Sequence, residues 1–194
     1  RALSGRDAEA ARRTIGLDAK VNAAECEADQ LCLRILEQNQ LVGQDLRFVT
    51  LALKMVTDLE RIGDLAVNIC ERAIDLAQTP PHRSYEDLHR MADLAQSMVR
   101  DAIDAFVARS EKKAREVIQR DEEVDVLYER VFQEILEAMT ADPNAIHHGI
   151  HYQSVAKWLE RMADHATNVA EQVIYMVEGM DVRHTGKLAL RRLS

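Results

Sequence analysis

Two matched stripes of acidic and amide side chains are the residues whose types and spacing could do chemistry. Within each stripe, steps of three and four residues place the side chains within roughly 80° of one another on a helix. Carboxylate oxygens are hard ligands that suit Mg, Ca, Mn or Fe, and neighbouring carboxylates can bridge several ions. The spacing therefore predicts metal sites, built from Glu60, Asp64, Asn68 and Glu71 in one stripe and from Glu160, Asp164, Asn168 and Glu171 in the other.

A second polar pair precedes each stripe along the chain, on the flank of an apolar helix face where it could meet the neighbouring helix. These pairs are Asp18 with Asn22, and Asp121 with Asp125. Within each stripe the first two carboxylates are like charges four residues apart, which destabilise an isolated helix by on the order of a few tenths of a kcal/mol, so their duplication suggests a function. The alternative is a solvated acidic face that is neutralised by Arg61 and Arg161.

Histidines form a smaller cluster. His147 and His151 are four residues apart, a spacing that can hold zinc, although a surface cluster that also includes His148 is the simpler interpretation. His165 follows Asp164 and is either a metal ligand or a hydrogen-bond partner. Because the sequence contains neither a Gly-rich phosphate loop nor a recognisable nucleophile arrangement, we predict no catalytic residues.

The composition indicates long helices. Among 194 residues only seven are Gly and three are Pro, while 47% are apolar and 30% charged, which is typical of an all-α chain. The net charge of −8 disfavours nucleic-acid binding, because phosphate contacts need clustered Lys and Arg. No apolar run is long enough to cross a membrane. The three cysteines, Cys26, Cys32 and Cys70, are odd in number. We therefore predict that they are small, unpaired core residues of a protein in a reducing compartment.

Breaker and capping signals divide the chain into five predicted helices. Ser84 and Ser110 are the predicted N-caps of the third and fourth, Pro143 the first-turn proline of the fifth and Gly179 its C-cap. Gly16 is a weak point inside the first helix. The predicted helices span residues 7–37, 44–78, 84–108, 110–140 and 142–179.

An internal repeat relates the second and fifth predicted helices. From 59 to 71 against 159 to 171, seven of thirteen residues are identical and the matches include polar positions, which argues against chance similarity. The apolar seam also recurs at an offset of one hundred, as Met55, Leu59, Ile62, Ala66, Ile69, Ala73 and Leu76, then Val155, Leu159, Met162, Ala166, Val169, Val173 and Met176.

The repeat predicts two tandem three-helix bundles, since short loops make neighbouring helices antiparallel. The predicted divisions are 1–79, 84–180 and a C-terminal tail at 181–194. The second repeat has a leading helix at 84–108, so we expect a counterpart in the first repeat upstream of Arg1.

These residues resemble the PhoU family of phosphate-signalling proteins over essentially the whole chain. The resemblance rests on Asp45-Leu46-Arg47, the duplicated Leu-Glu-Arg-x-x-Asp helices from Leu59 and Leu159, and the ending Asp181-Val182-Arg183-His184-Thr185-Gly186. It implies two three-helix bundles in a pseudo-twofold relation. It also implies a cytoplasmic, homodimeric regulator without a transmembrane segment. The implied regulator couples the ATPase subunit of a phosphate ABC transporter to a sensor histidine kinase and associates with the membrane through these partners.

The resemblance also implies metal clusters. The family's acidic motif maps onto Glu60 with Asp64 and onto Glu160 with Asp164, and its helper pair onto the two polar pairs of the preceding helices. Fe, Mn, Mg or Zn would be the ions, and Asn22 leaves the first site with one fewer anionic ligand. A carboxylate-bridged metalloenzyme and a metal-storage bundle are the alternative functions that the residues leave open.

Overall fold

A computed structural model describes residues 2–79 and 85–179, which form seven α-helices and contain no strand. The helices are α1 (Ala2–Gly5), α2 (Ala8–Ile15), α3 (Asp18–Gln38), α4 (Gly43–Ala77), α5 (Glu86–Val107), α6 (Glu111–Ala141) and α7 (Ile146–Glu178). The all-α prediction is confirmed. Among the described helices, none combines the length and the apolar character needed to cross a bilayer.

The predicted first helix is wrong as one continuous element. The chain turns at Gly16 and Leu17, and the helix is divided into α2 and α3. Glycine is disfavoured in the interior of a helix, and the predicted helix is interrupted at Gly16 for this reason. The predicted fifth helix also begins later, because Pro143–Ala145 forms a 3₁₀ turn before α7.

Several predicted caps are confirmed. The Ser110 hydroxyl accepts a hydrogen bond from the Lys113 backbone N–H at 3.4 Å. Gly179 ends α7 in the left-handed conformation, with φ of 73°. The predicted N-cap Ser84, the prolines Pro80 and Pro81 beyond the end of the second predicted helix, and the predicted C-terminal tail at 181–194 lie outside the described residues.

The apolar seams form the core, as predicted. Helices α5, α6 and α7 pack against one another as a three-helix bundle, and the first half of α4 adds Leu51 and Met55 to the same core. The second half of α4 packs against α1 and α2 through Cys70 and Ala73. Cys32 is buried as well, whereas Cys26 is exposed, so the core prediction is wrong for Cys26.

Helices α4 and α7 run antiparallel, and their contacts follow the repeat. Asp58 of α4 lies against Gln172 of α7, and the guanidinium of Arg72 lies 5.9 Å from the ring of Trp158. Residues 58 and 158, like residues 72 and 172, are one hundred positions apart, so the two contacts are related by exchanging the repeats. This exchange is the signature of a pseudo-twofold axis between α4 and α7, and Trp158 packs between the repeats.

The two repeats differ in one respect. Within the described part of the first repeat, no helix takes the place that α5 has in the second. Val21 is therefore 36% exposed, whereas its repeat counterpart Val124 is 1% exposed. The expected counterpart helix and the division at 79 and 84 stay predictions.

Candidate functional site

The first-repeat pair is brought against α4, as its position on the flank of the seam predicted. The Asn22 amide donates to Asp18 Oδ2 at 3.0 Å. A Cβ placed on Gly63 would lie 4.0 Å from Asp18 Oδ1 and 3.4 Å from the Val21 side chain. These are ordinary contact distances, so position 63 lies directly beside this pair where α3 packs against α4.

Two oxygens of this pair are buried without a hydrogen-bond partner, namely Asp18 Oδ1 and Asn22 Oδ1. Buried polar atoms in proteins are nearly always satisfied, and an orphan oxygen costs about 1–3 kcal/mol. Both atoms belong to hard-ligand groups that suit a cation. The residues of the first repeat therefore fit, in their chemistry, the metal site predicted there.

The first stripe lies beside this pair on α4. Arg61 contacts the Glu60 and Asp64 carboxylates at 3.7 and 3.8 Å, while Asn68 is half-buried farther along the helix. Burial is the largest cause that raises the pKa of Glu60; the negative charges of Asp64 and of Glu25 on α3 raise it further, and Arg61 opposes them. The carboxylates are thus crowded, and Arg61 neutralises part of their charge.

The second stripe holds its charges differently. Lys157, one turn before Glu160, donates to both of its carboxylate oxygens at 2.9 and 2.8 Å. This hydrogen bond is the largest cause that raises the pKa of Lys157, and the negative charge of Asp164 contributes. The Thr167 hydroxyl donates to Asp121 at 3.3 Å.

The remaining predicted ligands of the second repeat are more open. Asp125 and Asn168 are exposed, and Asp164 is half-buried. Within residues 2–79 and 85–179, no group of three or more His, Cys, Asp or Glu side chains converges closely enough to hold a metal ion. The structure therefore brings each polar pair beside its stripe without assembling a closed site.

Sequence reasoning missed Glu25 and Lys157. Glu25 follows Asp18 by seven residues, which places it on the same helix face, and Lys157 precedes Glu160 by three residues. These spacings in the sequence could have identified Glu25 and Lys157 as neighbours of the predicted ligands.

A polar network between the repeats was also missed. The Asp58 carboxylate accepts from the Gln172 amide at 2.8 Å and contacts His165 Nδ1 at 2.9 Å. His165 is thus a hydrogen-bond partner across the α4–α7 contact, one of the two roles that its position allowed. Asp58 and His165 have side chains that are only 16% and 20% exposed.

An apolar groove of about 200 Å³ lies between α6 and α7. Phe132, Leu136 and Ile150 are among its lining residues and are exposed to solvent. The lining side chains carry no titratable group, so the groove suits apolar contacts rather than acid–base chemistry.

Comparison with known proteins supports the helical repeat. The family described as the PhoU domain matches residues 1–73 and 88–173. The "Phosphate-specific transport system accessory protein PhoU homolog" of Pseudomonas putida is 38% identical over 186 residues, covering 95% of this chain and 73% of that protein. The PhoU accessory protein of Serratia marcescens is 33% identical, covering 99% of this chain and 79% of that protein.

Solved structures give the same result. The crystal structure of PhoU from Pseudomonas aeruginosa matches with a TM-score of 0.90 and 37% identity, over 92% of this chain and 86% of that one. PhoU from Streptococcus pneumoniae matches with a TM-score of 0.84 and 32% identity, over 93% and 85% of the two chains. The family matches both repeats and the fold agrees over more than nine-tenths of the chain, so this chain belongs to the PhoU family.

Proposed function

We propose that this chain is a regulatory accessory protein of phosphate transport. The observation that carries the proposal is the family match to both repeats, because relatives that share this duplicated architecture are named as accessory proteins of phosphate-specific transport systems. The chain is proposed to act in the cytoplasm, and no transmembrane helix occurs among the described residues.

The finer mechanism is that of an adaptor without catalysis. Its helical faces would bind the ATPase subunit of a phosphate ABC transporter and a sensor histidine kinase, keeping phosphate-starvation genes off when phosphate is plentiful. Membrane association would come from these partners, and the chain would act as a homodimer. The apolar groove supports a binding role, since its lining offers contact area but no titratable group.

Co-purification from membranes tests the adaptor. The chain is used as bait in lysates of its own organism grown with ample phosphate, and the transporter ATPase subunit and the kinase are quantified by mass spectrometry. We expect enrichment of both over a bait-free control. Recovery of neither partner would reject the adaptor. Turnover of a substrate panel that disappears in Asp164→Asn would instead identify a metalloenzyme.

Metal binding at the carboxylate stripes is a second proposal. In the first repeat Asp18, Asn22, Glu60, Asp64 and Asn68 would hold a hard cation, and the orphan oxygens of the helper pair are the observation in favour. In the second repeat the ligands would be Asp121, Asp125, Glu160, Asp164 and Asn168. Fe, Mn, Mg or Zn is proposed, and the ion would neutralise the crowded carboxylates and join each pair of helices.

Elemental analysis of untagged native protein tests this proposal. We expect metal in the purified chain, and less of it in Glu160→Ala/Asp164→Ala and in Glu60→Ala/Asp64→Ala. Because Asn22 gives the first site one fewer anionic ligand, we expect the first site to bind more weakly. Unchanged metal content in either double variant would remove the corresponding site. A high metal content in a chain that recovers no partner would favour metal storage.

A further inference from the structure

Two histidines at the start of α7 face each other. His147 Nε2 and His151 Nε2 lie 3.4 Å apart, and the ring centroids are 4.6 Å apart. Hydrogen bonds from ring nitrogens are normally shorter, at about 2.7–3.2 Å between heavy atoms. The two nitrogens are thus close but loosely paired.

This separation has the size that one tetrahedral ion requires. Imidazole nitrogens bind zinc at about 2.0–2.1 Å, and a tetrahedral angle between two such bonds places the nitrogens about 3.3–3.4 Å apart. The observed distance of 3.4 Å falls at this value. The two Nε2 atoms therefore have the spacing of a ligand pair that shares one tetrahedral ion.

The surroundings allow a cation at this point. The guanidinium whose charge acts on His151, that of Arg72 on α4, is paired with Asp75 at 2.7 Å, which offsets its charge. Burial, followed by the charges of His147 and Arg72, lowers the pKa of His151, and Asp75 opposes this. The neutral ring is the form that binds metal. His148 contacts the Thr79 hydroxyl on the first repeat at 2.9 Å.

We propose that His147 and His151 form a binding site for a borderline divalent cation such as Zn²⁺, with water completing the coordination. Water is required because no third His, Cys, Asp or Glu joins the two rings within the described residues. The ion would link the first two turns of α7 beside the end of α4. Nitrogen ligands distinguish this site from the carboxylate stripes, whose oxygens favour harder ions. The proposal does not depend on the adaptor function.

Zinc titration by calorimetry tests the site. The untagged full chain is studied with excess Mg²⁺, which occupies the hard oxygen ligands. We expect one zinc-binding event that is lost or weakened by at least about tenfold in His147→Ala and in His151→Ala. His148→Ala is the matched control, since it removes a neighbouring imidazole that points at Thr79, and it should bind zinc as the wild type does.

Thermal unfolding provides a second measurement that does not depend on stoichiometry. Zinc should raise the Tm of the wild type and of His148→Ala, and should leave that of His147→Ala nearly unchanged, because a ligand of the native state stabilises it. His147 is exposed, so its substitution should not perturb the fold, which circular dichroism checks. Equal zinc affinity and equal Tm shifts in the wild type, His147→Ala and His151→Ala would overturn the proposal.

Discussion

At the scale of single residues, the carboxylates of the two stripes differ in how their charge is compensated. In the second repeat, Glu160 is held by Lys157 through two hydrogen bonds. In the first repeat, Glu60 has only the longer contact with Arg61 and lies near Glu25 and Asp64. The negative charge of Glu60 in the first stripe is therefore less well compensated than that of Glu160 in the second. This holds although the proposed ligand set of the first repeat carries less negative charge in total.

Glu60→Gln should stabilise the metal-free protein at neutral pH. The pKa of Glu60 is raised in the folded state, so its ionisation costs stability as the pH rises through that pKa. Removing one of two like charges at this spacing should gain on the order of 0.3–0.5 kcal/mol. The gain should disappear at acidic pH, below the unfolded pKa, where the carboxyl is protonated in both states. Urea unfolding across this pH range measures it.

Glu71→Gln is the matched control, because it removes a carboxylate from an exposed position of the same helix. It should change stability less than Glu60→Gln. Mn²⁺ bound at the stripe should reverse the effect of the Glu60 substitution. With Mn²⁺ present, the wild type should be more stable than Glu60→Gln. A loss of stability in Glu60→Gln at neutral pH without metal would contradict the crowding described for this stripe.

At the scale of elements, glycines play opposite roles in the two long helices of the repeats. Gly63 lies inside α4 at the place where Val21 approaches, whereas Gly179 ends α7 with φ of 73°. The second repeat carries Ala163 at the position of Gly63. The same substitution should therefore act in opposite directions at the two glycines.

Gly63→Ala should stabilise the protein by about 0.5–1 kcal/mol, the difference in helix propensity between the two residues. The added Cβ would lie 3.4 Å from the Val21 side chain, which is ordinary contact, and Val21 is partly exposed and can adjust. Chemical denaturation measures the change in free energy of unfolding. Destabilisation would mean that α3 and α4 pack more tightly at this point than the structure indicates.

Gly179→Ala should destabilise the protein by about 1 kcal/mol, because an alanine pays a steric cost in the left-handed conformation. The neighbouring Arg47 guanidinium lies 3.7 Å from the added Cβ, which is an ordinary contact, so the backbone conformation is the main cost. Gly179→Asn is the control, since Asn tolerates this conformation better, and it should lose less stability. Equal losses in the two variants would show that the cap conformation is not the cause.

At the scale of the whole molecule, α4 and α7 hold the two repeats together. Their antiparallel contact contains the Asp58 network at one point and the Arg72–Trp158 contact at the repeat-related point. One repeat therefore uses hydrogen bonds where the other uses an aromatic face. The mostly buried Asp58 satisfies donors from two side chains, so the network is sensitive to its loss.

Asp58→Ala should destabilise the chain by about 1–3 kcal/mol, because it leaves the half-buried Gln172 and His165 donors without their acceptor. Asp104→Ala on α5 is the matched control at an exposed position and should change the free energy of unfolding by less than about 0.5 kcal/mol. Amide exchange should rise along the α4–α7 contact in Asp58→Ala alone. Equal stability of the two variants would mean that the network does not hold the repeats together.

The sequence by itself determined the helices, the apolar seams, the repeat and the family, because each follows from local spacing or from matched residues. It also located the stripes and their helper pairs, since helical periodicity places residues four apart on one face. It did not determine that Gly16 breaks a helix, because whether a glycine is tolerated depends on packing around it.

Only the tertiary structure decided which charges meet. Glu25 acts on Glu60 from another helix, and Asp58 meets His165 across 107 positions of sequence. Such pairs depend on how far each helix is rotated about its axis and on where two helices cross. Hydrophobic spacing indicates which face points inward, but it leaves the longitudinal register of two helices free. Core packing sets that register, and the register selects the polar partners.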